Sequence, residues 1–193
     1  MKQKAAQYIS IILFPYNLAV ITTFLVLRVK HSVRDSLYWT FFSFLFLVLI
    51  PASYVIVQIM RKKITNMSVE VRSQRKQVYL VGLTSLITAC VLFYLINAPS
   101  VLFSSFVFLL LLCVLAFAVN FVVHKTSAHM MGIGLTFSFL LQGYPVLAYC
   151  VLAFAVLVAW SRYYLHKHTI PEIISGFAMS VGTGLIFSFY YLV

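Results

Sequence analysis

Three observations predict an all-α fold, a polytopic transmembrane helix bundle of about six to seven helices. Of the 193 residues, 63% are hydrophobic and only 9% charged, against roughly 25% charged in a soluble domain. The apolar residues fall into runs of about 20, the length at which a helix crosses a ~30 Å hydrocarbon core. The charged residues stand almost entirely in the breaks between those runs. Too little polar surface is left to face water all round, which excludes a soluble enzyme. Disordered, collagen-like and disulfide-stapled classes fall with it. In lipid each backbone group must find its partner within its own segment, so the runs are read as helices.

The first run covers 8–29 and is opened by Lys2 and Lys4. It is too long for a signal peptide and no A-x-A-like site follows, so a retained span is expected. The second covers 37–60 with Pro51 inside it, which a membrane helix tolerates where neighbours re-satisfy the freed backbone groups. The polar segment 61–77 (RKKITNMSVEVRSQRKQ) then holds six of the fourteen Lys and Arg. A third span is expected over 78–96, a tight turn at Asn97-Ala98-Pro99-Ser100, and a fourth span over 101–123. The break 124–129 (HKTSAH) leads to a short fifth helix over 130–142, and Gly143-Tyr144-Pro145 turns the chain into a sixth over 146–160. The break 161–169 (SRYYLHKHT) precedes the last helix, 170–192. The chain reads as one membrane-embedded domain, with 1–60 as two leading spans and 61–193 carrying the polar loops. Those three loops are separated by two crossings each, so all emerge on one face of the membrane.

Several features have structural explanations. Cys90, Cys113 and Cys150 lie inside apolar runs without metal or disulfide spacing and read as small hydrophobes. Gly176, Ser180 and Gly184 recur every four residues, a helix-packing stripe. The tyrosines and Trp160 near span ends read as interface belts. Thr169-Ile170-Pro171-Glu172 is a capping box with Pro in the first turn. His31, His124, His166, Lys125 and Lys167 read as loop or headgroup-facing residues, and Arg61-Lys62-Lys63 as a lipid anchor.

What remains is concentrated on one face. The net charge is +11, with Asp35, Glu70 and Glu172 the only acids. On a membrane protein such an excess faces anionic headgroups or holds phosphate, and is not read as nucleic-acid binding. Four of the five histidines (His124, His129, His166, His168) lie in the two later loops. Glu172 stands four residues after His168, Arg162 opens the same loop, and 61–77 adds cations. Two imidazoles, a carboxylate and guanidinium groups make a set suited to phosphoryl transfer. Guanidinium groups clamp phosphate oxygens, one imidazole attacks phosphorus and another protonates the leaving oxygen.

Ser161-Arg162, five residues, His168, three residues and Glu172 resemble the third signature of the type 2 phosphatidic acid phosphatase family, SR-x5-H-x3-D. Thr126-Ser127-Ala128-His129 resembles its second signature, PSGH, with Ser and His kept. The first signature, K-x6-RP, is absent as written; Arg75 is the first choice for its arginine and Arg72 the second, with Lys63 or Lys76 as the lysine. The resemblance covers roughly 61–193. It implies a membrane lipid phosphatase without a cofactor or metal, in a bacterial inner membrane. His168 is then the nucleophile that forms a phosphohistidine, Glu172 orients its imidazole, and His129 is the general acid. Arg162, Arg75, Arg72 and the backbone amides of Ser127 and Ala128 hold the phosphate.

The implied partner is a phosphorylated lipid such as phosphatidic acid, phosphatidylglycerol phosphate, a polyprenyl diphosphate or lipid A. Nothing in the sequence chooses between them or sets the oligomeric state. The alternatives are a lipid phosphotransferase of the same fold and a non-catalytic phospholipid binder. A transporter is disfavoured because no charge sits in the middle of a span. The positive-inside rule puts the motif face in the cytoplasm, whereas the bacterial phosphatases of this family act mostly on the outer face.

Overall fold

Pro15 decides the shape of the N-terminal run. The computed structural model describes residues 2–192. In place of one span over 8–29, α1 (Lys2–Ile12) and α2 (Pro15–Arg28) meet at a 43° bend. Proline has no N–H and crowds the preceding turn. Phe14 is accordingly extended (φ −67°, ψ 140°) and the helix restarts with Pro15 in its first turn. Asn17 Nδ2 donates to the Ile11 and Ile12 carbonyls at 3.3 and 3.2 Å, covering the open end of α1. The bend lays α1 against the far end of the helix carrying Ser161, whose Oγ donates to the Ala6 carbonyl at 2.7 Å.

The second span starts earlier than expected. Ser32 caps α3 (Val33–Phe44), its Oγ accepting from the Asp35 amide at 3.1 Å. A π-helical turn, Leu45–Leu49, joins α3 to α4 (Ile50–Met60), and together they make one apolar span. The π-turn accounts for Pro51. Its ladder pairs Ile50 N–H with the Leu45 carbonyl, so residue 51 would pair with Phe46, and proline has nothing to donate. Ser85 Oγ, from the next span, donates to that carbonyl at 2.8 Å. Ser85→Ala is expected to lower stability by about 1 kcal/mol, since interhelical hydrogen bonds in membranes contribute of that order. Denaturant titration in detergent checks this; an unchanged midpoint would show that the carbonyl is satisfied otherwise.

A 3-10 turn (Arg72–Gln74) leads into α5 (Arg75–Leu95), and the turn at Asn97, with φ 51°, reverses the chain into α6 (Ser100–Val122). Then follow α7 (Ala128–Leu140), α8 (Pro145–Tyr164) and α9 (Ile170–Leu192). The break expected from 161 is therefore shorter, because Ser161 and Arg162 belong to the end of α8. Among the described residues there is no strand. Five helical segments are long and apolar enough to cross a membrane, six if α1 and α2 make one bent span, and α7 is shorter. The architecture is that of a multi-pass, all-α membrane bundle.

The small-residue stripe of α9 packs on α7. A Cβ at Gly134 would meet Ser180 Oγ, and one at Gly184 would meet Ser138 Cβ. At the loop end, a Cβ on Gly176 would lie 2.8 Å from the Ser127 carbonyl oxygen. This close seating pins the start of α7, and with it Ser127 and His129, to the first turns of α9.

Candidate active site

The spacing between Arg162 and His168 has a structural cause. α8 ends in a Schellman turn: Lys167 N–H reaches the Arg162 carbonyl at 3.1 Å and His166 N–H the Tyr163 carbonyl at 2.9 Å. His166 occupies the left-handed position, φ 53°, where glycine is usual. His168 N–H also returns to the Arg162 carbonyl, at 3.3 Å, so the turn folds His168 back over Arg162. His166→Gly should raise stability by about 0.5–1 kcal/mol. A fall in the melting temperature would mean that the His166 side chain holds the turn.

His168 and Glu172 form the centre. His168 Nδ1 and Glu172 Oε2 are 2.8 Å apart. A carboxylate can only accept, so Nδ1 carries the proton. The same oxygen accepts from the Thr169 amide at 3.2 Å, completing the carboxylate half of the capping box. Glu172 thus caps α9 and orients the imidazole with one atom. Lys125 Nζ lies 3.9 Å from that oxygen and donates to the Lys167 carbonyl at 2.8 Å. His168 Nε2 has no hydrogen-bond partner among the described residues. Burial, then Arg162, Arg75 and Lys125, push the His168 imidazole well below its usual pKa. The Glu172 carboxylate opposes this, but one anion is outweighed by burial and three cations. These causes favour the uncharged ring, in which the lone pair of Nε2 is available.

Two buried guanidinium groups stand with it. Arg162, 3% exposed, donates from Nη1 to Ser10 Oγ at 2.7 Å, while its Nε has no partner. Arg75, also buried, donates from Nε to the Val69 carbonyl at 2.8 Å and from Nη1 to the Thr126 carbonyl at 2.9 Å. It joins the first polar loop to the second. Ser127 Oγ is fully buried and also without a partner. Unmet polar atoms at such burial are rare and call for an explanation.

Other expected residues fall differently. The Ser127 amide donates to the Glu172 carbonyl at 3.2 Å and has no donor left for phosphate; its buried hydroxyl makes no hydrogen bond. Ala128, exposed, begins α7, so its amide is one of the first-turn N–H groups that lack a helical carbonyl. Arg72 does not join the cluster. Its Nε and Nη2 donate to the Asn120 and Phe121 carbonyls at 2.6 and 3.0 Å. Open carbonyls at the end of α6 attract this cation. Lys63 and Lys76 are exposed, and Lys125, read as a headgroup anchor, is the lysine beside Glu172. Lys167 bridges to Glu70 at 2.7 Å, tying the third polar loop to the first.

His129 is buried, its Nε2 3.1 Å from the Ser10 carbonyl and 3.3 Å from Ser10 Oγ. The carbonyl can only accept, so Nε2 carries the proton and Nδ1 the lone pair. Phe14 packs edge-on against the ring, with centroids 5.2 Å apart. The N-terminal helix therefore contributes Ser10 between Arg162 and His129. The sequence reading placed this helix outside the site, and no local pattern marks Ser10.

Arg75 and His129 also line one end of a cavity of about 330 Å³ between α2, α4, α5, α6 and α7. Its walls are mostly apolar and reach Phe106 and Phe139 deep in the bundle. His168, Glu172 and Arg162 lie outside this lining. No cluster of three or more His, Cys, Asp or Glu suited to a metal ion occurs among the described residues. No family model matches the chain, and neither a curated protein nor a solved structure does.

Proposed function

We propose that the protein is a membrane lipid phosphatase, hydrolysing a phosphate monoester or diphosphate on a lipid through a phosphohistidine. The observation that carries this reading is the His168 Nε2 lone pair, oriented through Nδ1 by Glu172, together with two buried donors that have no partner, Arg162 Nε and Ser127 Oγ. A phosphate oxygen accepts from both donors, and Nε2 is oriented by Glu172 to attack phosphorus. The P–N bond forms as the P–O bond to the lipid breaks. Arg162, Arg75 and Lys125 offset the charge on the transferring group. The leaving oxygen takes a proton from His129. Because His129 Nε2–H is held by Ser10, that proton comes from Nδ1; burial and then Arg162 push the pKa of this imidazole down to about 3, so the ring takes up its second proton only beside the negative charge of the bound phosphate. Water then attacks phosphorus and gives a proton to His129 Nδ1, the P–N bond breaks with its electron pair returning to His168 Nε2, and phosphate leaves. The apolar cavity beneath Arg75 and His129 supports a lipid as the substrate. Placement in a bacterial inner membrane rests on the family resemblance.

Purified protein in detergent, without added metal, is expected to release phosphate from phosphatidic acid, phosphatidylglycerol phosphate or undecaprenyl diphosphate, with His168→Ala as the blank. Silence on all three, or equal release by the variant, would overturn the hydrolytic reading. The burial of the His168 side chain, 3% exposed, favours a second reading in which a lipid alcohol replaces water. A phosphorylated lipid alcohol formed in place of free phosphate would establish that transferase.

A further inference from the structure

Gly82 is a glycine without a structural reason. It lies inside α5, where glycine costs roughly 0.5–1 kcal/mol relative to alanine, and it has no positive φ. Helix glycines are commonly explained by close packing, as Gly134, Gly176 and Gly184 are here. A Cβ on Gly82 meets nothing nearer than Cys113 Sγ at 4.0 Å. The missing side chain leaves space, and that space is the cavity: Gly82 and Cys113 both line it. Gly82 comes seven residues after Arg75, about 10 Å along the helix, with Phe106 and Phe139 deeper still.

We infer that Gly82 is a specificity-determining position: it holds open the passage through which one hydrocarbon chain of the substrate runs from the Arg75 and His129 end toward Phe106 and Phe139. The inference rests on the lipid-phosphate reading for the head of that chain. The cavity itself is amphiphilic in the required order, with a guanidinium and an imidazole at one end and aliphatic and aromatic walls beyond. A short chain ends before Gly82 and is indifferent to it, whereas a long chain must pass it.

The test uses butyl and hexadecyl phosphate with the full chain in detergent. Gly82→Phe is expected to lower kcat/KM for hexadecyl phosphate relative to butyl phosphate by at least about tenfold, the scale at which steric pockets discriminate. Gly82→Ala should change that ratio much less. Independently of turnover, hexadecyl phosphate with a diazirine at its chain end should crosslink to the segments around Phe106 and Phe139, and Gly82→Phe should abolish those adducts. Gly82→Leu takes the place of Gly82→Phe if the latter does not fold. An unchanged chain-length ratio with unchanged adducts would overturn the inference, as would adducts confined to the outer surface. Adducts that Gly82→Phe removes, in a protein that releases no phosphate, would leave the passage standing and overturn the phosphatase.

Discussion

His168→Ala is expected to reduce phosphate release by at least about 10³-fold, because loss of a covalent nucleophile leaves only binding and electrostatic terms. Circular dichroism should stay near that of the parent protein, because Thr169 N–H still holds the Glu172 carboxylate; loss of the buried Nδ1–Glu172 bond should lower stability by about 1–3 kcal/mol. Glu172→Gln separates orientation from capping. The amide oxygen can still accept from Thr169 N–H or from His168 Nδ1–H, so the helix start persists while the imidazole loses its anionic partner. A slow but folded Glu172→Gln supports the orienting role; an unfolded one shows that capping dominates. Full activity in His168→Ala would remove the nucleophile and the mechanism with it.

The same residue sets a pH dependence of stability. The His168 pKa is lowered on folding, chiefly by burial and then by Arg162, Arg75 and Lys125. Below about pH 6.5 the unfolded chain takes up a proton at this position that the folded chain does not. Stability from this group is therefore unaffected above that pH and falls as the pH drops beneath it, by up to about 1.4 kcal/mol per unit. Melting curves between pH 7.5 and 5 should show the decline, and His168→Asn should make it shallower without abolishing it, because burial and Arg162 lower His129 in the same direction. An identical slope in the variant would assign the effect to other groups.

Arg162→Lys is the second large effect. The side chain is 3% exposed, with Nη1 on Ser10 Oγ and Nε unmet. An ammonium is a single compact donor group and cannot reach Ser10 and a phosphate oxygen in the geometry of a planar fork. Removing one such oriented donor typically lowers kcat by about 10²–10³. The charge is retained, so the loss separates geometry from net charge. If Arg162→Lys keeps most of its turnover, Arg162 serves only as a field and Ser10 need not hold it.

The candidate site was legible in part because some of its relations are local. His168 and Glu172 are four apart at a helix start, so any α9 beginning near 170 brings them together. The six-residue step from Arg162 to His168 is one Schellman turn, also local. The family resemblance ranks Arg75 ahead of Arg72, and no local pattern separates them. They are three residues apart, yet one turns to the carbonyls ending α6 and the other to Thr126, and only the position of those carbonyls decides. Lys125 was missed for the same reason, since its distance to Glu172 depends on how two loops converge.

The sequence by itself determined the membrane class, the order of the helices and that the three polar loops share one face, because hydropathy and crossing parity are properties of the chain read in order. Tertiary structure alone decided that Pro15 turns α1 back onto α8, that Ser10 joins Arg162 to His129, and that five helices stand apart around a cavity past Gly82. These are contacts between residues more than 100 positions apart, or spaces where contacts are missing. Neither leaves a periodic trace in the sequence, because the partners meet through packing geometry and not through spacing along the chain.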